Sequence, residues 1–348
     1  MLLSVTAPPV AAEYREDTWL ENVIGPELLL KGDEFGCHGL EDVDPRLDIT
    51  VVSACKSYVS SRINASRWGP NLLSYAIPEG ALSDKLADEL VDNGFSIIGD
   101  QSQTDDQRLT SISRNGGSIE SGLSDQSLIE EVPAGNLVSM YWIARIDDMN
   151  IRRDRGLVEW LVSQDYWFTT WGEWTTHEEA SLSINSSDSS GSITFTNHYD
   201  GMWRTPGTVV IDGIGDSFEL EWSNVQYPPL DEGDRNLKPG YRLDTSGQLY
   251  LTIPKSESVT FTINNTDSLN YSASVFNGLE KGLTIAGHHT TNMREWSQDF
   301  RDTPLRFTWL IEQSKIPDKT LVLPLLALGI LIATPCLLYT SPSPRDSV

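Results

Sequence analysis

From about residue 177 to residue 313 the chain is written as ten short runs of apolar and polar residues, separated by turn residues and with no helical period between them. The runs fall at 180–184, 192–197, 208–211, 217–222, 241–243, 248–253, 258–264, 272–276, 283–286 and 305–311. A period of two puts the apolar side chains of a strand on one face, and that face needs a second sheet to cover it. The pattern predicts an antiparallel β-sandwich over residues 177–315. Turn residues at 187–191 and 244–247 mark two hairpins within it.

The preceding residues have a different grammar. Ile49, Val52, Cys55, Val59 and Ile63 recur every three to four positions, the spacing of one helix face. A strand candidate at 72–77 is followed by Ser83, an N-cap for a helix over 84–92, and by a strand at 95–98. A second strand, helix and strand are read at 137–146, 151–163 and 166–174. Two such units predict a mixed α/β domain over residues 20–176. Between them, 101–135 is rich in Gln, Ser, Asp and Gly and has little periodicity, which reads as an excursion or a loop.

Residues 321–338 are uninterruptedly apolar. At 1.5 Å per residue they span about 27 Å as a helix, close to a bilayer core of about 30 Å. They predict a single transmembrane anchor over 320–338, truncated near Pro335, with a buried core helix as the alternative. Residues 336–348, CLLYTSPSPRDSV, resemble translated sequencing-adapter sequence and are expected to be a non-native tail. Residues 1–19 read as the remnant of a signal peptide or a disordered start. The expectation is a fragment of an α+β multidomain protein: an N-terminal mixed α/β domain, then an antiparallel β-sandwich, then a C-terminal transmembrane helix. It places the protein in the cell membrane, single-pass, with an extracellular body.

Charge narrows the partners. With 25 Lys+Arg against 50 Asp+Glu the net charge is −25, which repels phosphate backbones and excludes nucleic acid as a partner. Eleven Trp, eleven Tyr and nine Phe are too many for a chain without a core. Outside the tail the cysteines are Cys37 and Cys55, expected to form a disulfide in an extracellular body, with two separate buried thiols as the alternative. Asn64, Asn185, Asn264 and Asn270 begin N-x-S/T triplets and are candidate glycosylation sites.

The densest chemical cluster is the glycine-rich stretch 32–39. Its Asp33, Glu34 and His38 are candidate catalytic residues, able to exchange protons if they converge, and a glycine-rich loop pinned by the disulfide is the alternative. His177, His198, His288 and His289 match no zinc spacing, so no metal site is predicted. Acidic turns at 212–216 and 231–234 could hold surface Ca²⁺, and no other cofactor is implied. No nucleophile elbow, phosphate loop or dinucleotide fingerprint occurs. Trp167 and Trp171 would share one face of a strand over 166–174, where they could stack on a sugar or a partner protein; burial in a core is the alternative. The resulting expectation is a membrane-anchored, non-catalytic binding or interaction module for a glycan or surface protein. The alternative is an anchored extracellular hydrolase, carboxylate-based and for example glycan-degrading, using the α/β domain.

Overall fold

The computed structural model describes residues 20–313 except 22–23, 41–42, 144–152, 190, 213, 215–217, 224, 264–268, 289–299 and 301. Six strands come from the first half of the chain: β1 (Glu34–Leu40), β2 (Ser74–Ile77), β3 (Ile97–Asp100), β4 (Thr110–Ser113), β5 (Leu137–Ile143) and β6 (Tyr166–Phe168). Nine more follow: β7 (Ile184–Ser189), β8 (Ser192–Asn197), β9 (Gly207–Asp212), β10 (Phe218–Trp222), β11 (Val225–Gln226), β12 (Gly240–Leu243), β13 (Leu249–Ile253), β14 (Ser258–Ile263) and β15 (Asn270–Ala273). The last two are β16 (Lys281–His288) and β17 (Phe307–Gln313). The helices are α1 (Ile24–Lys31), α2 (Thr50–Ser60), α3 (Asp84–Asp92), α4 (Gln126–Glu131), α5 (Arg155–Ser163) and α6 (Trp171–Leu182).

The largest sheet has eight strands in the order β4-β3-β2-β1-β17-β16-β5, with β6 also on β16, and every pairing in it is parallel. Its two ends nearly meet. Beyond β4, Gly116 N donates to Ser139 O at 3.0 Å, Tyr141 N to Gly117 O at 2.9 Å and Ile119 N to Tyr141 O at 3.1 Å, so the backbone after β4 is stitched to β5.

This architecture corrects the predicted fold class. The chain is not an N-terminal α/β domain followed by a sandwich: β7–β15 are an insertion, and β16 and β17, read from sequence as sandwich strands, return to fill the parallel sheet between β5 and β1. The reason is burial on both faces. All eight residues of β16 are buried, the signature of a parallel strand covered on both sides rather than of a half-wet sandwich strand. The insertion itself forms two antiparallel sheets, β11-β10-β14-β8-β7 and β12-β13-β9-β15, sharing a core that includes Phe195, Ile211, Leu251 and Phe261.

Nothing in the described structure carries the transmembrane and membrane-location expectations. Residues 320–338 lie outside the described residues, and among the described residues no helix is long and apolar enough to cross a membrane.

Local chemistry explains the helices that position the site. Leu86 N donates to Ser83 Oγ at 3.3 Å, the cap read for α3. Residues 166–174 are not one strand: β6 stops at Phe168, and Thr170 caps α6 by accepting from Glu173 N at 3.2 Å. Thr-x-x-Glu at 170–173 is a capping-box spacing, and α6 runs on to Leu182 through the strand expected at 180–184. The Cys37–Cys55 disulfide is present, joining β1 to α2 with Cα atoms 6.1 Å apart.

Candidate functional site

In a closed or nearly closed parallel sheet all strands point the same way, so residues at their C-terminal ends gather at one mouth. Five strands contribute charged or titratable side chains there: His38 near the end of β1, Asp100 ending β3, Arg114 just after β4, His288 ending β16 and Glu312 near the end of β17. His288 Nε2 lies 3.0 Å from Asp100 Oδ2 and 2.9 Å from Arg114 Nη2, while Arg114 Nε also bonds Asp100 Oδ2. The Arg114 guanidinium is 4.3 Å from the Tyr141 ring centre on β5. The His38 and His288 rings meet edge to face at 5.1 Å, and His38 Nδ1 is 3.5 Å from Glu312 Oε1. A carboxylate, two imidazoles and a second carboxylate therefore form a line across the mouth, with a guanidinium at one end.

Burial pushes the Asp100 carboxyl up, but the hydrogen bond and charge of His288, and then those of Arg114, outweigh it and hold the carboxyl well below the usual range. The Arg114 guanidinium bonded to Asp100 favours the ionised carboxylate alongside His288. Burial lowers the His288 pKa; Asp100 opposes this, and the charges of His38 and Arg114 add to it. His288 is thus neutral at pH 7 and its Nε2 faces two incompatible neighbours. With a proton Nε2 donates to Asp100; without one it accepts from Arg114.

The three residues singled out in the stretch 32–39 are not brought together. His38 is at the mouth, whereas Asp33 and Glu34 are buried at the opposite, N-terminal end of β1. Asp33 accepts from Trp309 Nε1 at 2.9 Å and Phe307 N at 3.2 Å, and burial raises its pKa. Glu34 accepts from Ser74 Oγ at 2.6 Å and Gly172 N at 2.7 Å, and burial raises it to about 7. Its partners are on β2 and the first turn of α6, so it ties the sheet to that helix.

Trp167 and Trp171 do not form an exposed stacking pair; both are wholly buried and sit on different elements. Trp171 fills the sheet interior: Nε1 donates to Ser139 Oγ on β5 at 3.0 Å, its backbone N donates to Thr308 Oγ1 on β17 at 2.9 Å, and its ring lies on Gly99 of β3. A Cβ on Gly99 would come within 2.6 Å of that ring, so only glycine lets the indole in. Asn64, Asn185 and Asn270 are exposed, while Asn264 lies outside the described residues. In the turn at 231–234, Asp234 accepts from Asp231 N and Lys238 Nζ, each at 2.8 Å; residues 213 and 215–217 of the other acidic turn lie outside the described residues. Among the described residues no group of three or more His, Cys, Asp or Glu is placed to hold a metal ion.

Sequence reasoning missed Asp100, Arg114, His288 and Glu312 as a group. A signal existed for two of them: Asp100 and His288 each end an apolar run of the form that a parallel strand takes before its catalytic-end loop. Compared with known proteins, the chain matches no family model, no curated protein and no solved structure.

Proposed function

We propose that this protein is a hydrolase working by general acid–base catalysis at the C-terminal mouth of its parallel sheet, on a neutral polar polymer such as a glycan. The observation that carries the reading is the convergence of His38, Asp100, Arg114, His288 and Glu312 from five separate strands. Placing this many polar groups together adds no apolar burial, and it is costly to the fold unless function repays it. The fold-level expectation that reactions run at this end of such sheets is an analogy that supports the same reading.

The chemistry follows from the contacts. Nε2 of His288 is engaged by Asp100 and Arg114, so Nδ1 is the atom that exchanges a proton with water or substrate. A neutral His288 accepts that proton as general base, and ionised Asp100 stabilises the imidazolium formed. His38 with Glu312 supplies the second proton-transfer pair, on the leaving-group side. The net charge of −25 favours a neutral substrate over a phosphorylated one.

The test is hydrolysis of chromogenic aryl glycosides, esters and phosphodiesters by the parent, His288→Ala and Asp100→Asn proteins. Glycoside turnover that falls at least about 100-fold in His288→Ala is expected. Turnover of none of the three classes, or an undiminished rate in both variants, would overturn the proposal; turnover of esters or phosphodiesters alone would overturn its substrate class.

A further inference from the structure

The strand that delivers His38 to the mouth is interrupted at His38 itself. Glu34 to Cys37 pair in step with Thr308 to Ile311 of β17, but Gly39 is then opposite Glu312, so His38 is an extra residue without a partner on β17. On its other edge β1 pairs with β2 only at Cys37, opposite Tyr75. This is a β-bulge, a device that re-aims a side chain and recurs beside active sites. Here it sets His38 and Gly39 together against Glu312, with the His38 ring edge-on to that of His288.

We infer that the Cys37–Cys55 disulfide is a positioning element of the mouth, holding the bulge at His38. Its consequence for catalysis rests on the reading of His38 and Glu312 as a proton-transfer pair. With Gly36 opposite Leu310 and Gly39 opposite Glu312, two residues share the single partner Ile311, and the extra one is either Cys37 or His38. Were it Cys37, His38 would stand opposite Ile311. Successive side chains of a strand alternate, so its ring would then point where Cys37 now points, toward α2 and away from Glu312. The disulfide forbids this, because it holds Cys37 opposite Ile311 with its side chain on α2. Cys55 Sγ lies 3.5 Å from Ile311 O, so the bridge packs α2 on the very pair that precedes the bulge. The backbone alone resists the move weakly, since β1 carries Gly36 and Gly39 and glycine-rich strands specify register poorly. Beyond the bulge, Gly39 has φ +108° and a Cβ there would come within 2.9 Å of Tyr75 Oη, so this position is closed to a side chain. Both cysteines are buried, which makes the bridge a fixed brace rather than a redox switch.

The experiment compares the full parent chain with Cys55→Ala, which cuts the bridge and leaves β1 chemically unchanged. Both are labelled at their five histidines and followed by nuclear magnetic resonance at equal intervals below their thermal midpoints, so that lost stability alone cannot alter the result. Spectra of His38→Gln and His288→Ala assign the two rings. The parent is expected to show a through-space cross-peak between rings 5.1 Å apart, and Cys55→Ala to lose it. On a substrate that the parent turns over, kcat should fall at least about tenfold with KM within about twofold, as misplacing a proton-transfer group does. Cys55→Val serves if Cys55→Ala does not fold. No cross-peak in the parent, a parent-like cross-peak in the variant, or a lost cross-peak with parent-like kcat overturns the inference. Absence of any turnover by the parent overturns the catalytic reading alone, and the cross-peak then decides whether the disulfide sets His38.

Discussion

Replacing Glu34 by Gln should remove a pH dependence of stability that the parent carries. The Glu34 carboxyl is fully buried, accepts from Ser74 Oγ and Gly172 N, and titrates at about 7 against an ordinary 4.5. Below pH 4.5 it is protonated both folded and unfolded and costs nothing in linkage. As pH rises through 7 the folded protein is forced to ionise a buried group that the unfolded chain ionises freely, so stability is lost. At about 1.4 kcal/mol per tenfold difference in proton affinity, the loss between pH 4.5 and pH 8 is about 3 kcal/mol. Glutamine has no such proton. Its amide can still accept from Gly172 N and donate to Ser74 Oγ, and any cost of that exchange is the same at every pH. Urea unfolding of both proteins from pH 4.5 to pH 8 gives the difference in unfolding free energy, in which other titrating groups cancel. That difference should shift by about 3 kcal/mol in favour of the variant as pH rises. A difference flat to within about 1 kcal/mol would refute the claim that burial governs this carboxyl.

Further outcomes are expected elsewhere. His177 is buried, its Nε2 2.8 Å from Thr208 Oγ1, and desolvation lowers it to about 3; its stabilising share, present above pH 6.5, is lost as pH falls through 3, and His177→Gln should flatten the acid limb of a stability–pH curve. Gly99→Ala should destabilise by about 1–3 kcal/mol in chemical denaturation, because the new methyl meets the Trp171 ring and Ile112 O at 2.6 Å. Thr170→Ala removes the cap on α6 and should cost about 1 kcal/mol in the same assay. Reduction of Cys37–Cys55, which closes an 18-residue separation, should lower stability by about 3 kcal/mol, read as a shift in thermal midpoint with and without dithiothreitol.

Much of the local structure was legible in the sequence because it is decided locally. α3 begins after Ser83 because that serine caps it, and the helical spacing of Val52, Cys55 and Val59 survives as the buried face of α2. The disulfide was legible because only two cysteines lie outside residues 336–348. What could not be read was which strands share a sheet. The run Leu-Thr-Ile-Ala at 283–286 fits a sandwich strand as well as a parallel one, and only its neighbours β5 and β17, more than a hundred residues away and about twenty away, decide. The same non-local choice hid the mouth, since His38 and His288 are 250 positions apart yet touch. The tryptophans misled for a different reason: large aromatics are equally good at sealing interiors and at stacking on ligands, and Gly99, not any feature of Trp171, settles which.

The position of the insertion has a consequence for how the chain acquires its structure. During synthesis β1 to β6 emerge first and in spatial order, but the gap between β5 and β1 stays open until β16 and β17 appear, after all nine insertion strands. Until then the nascent sheet presents two unpaired parallel edges, the arrangement that invites wrong partners. The antiparallel insertion, whose pairings all lie within residues 184–273, can form ahead of it. Closure is then the late and slow event, and the mouth is assembled only at that step, because His288 and Glu312 arrive on the two strands that complete it.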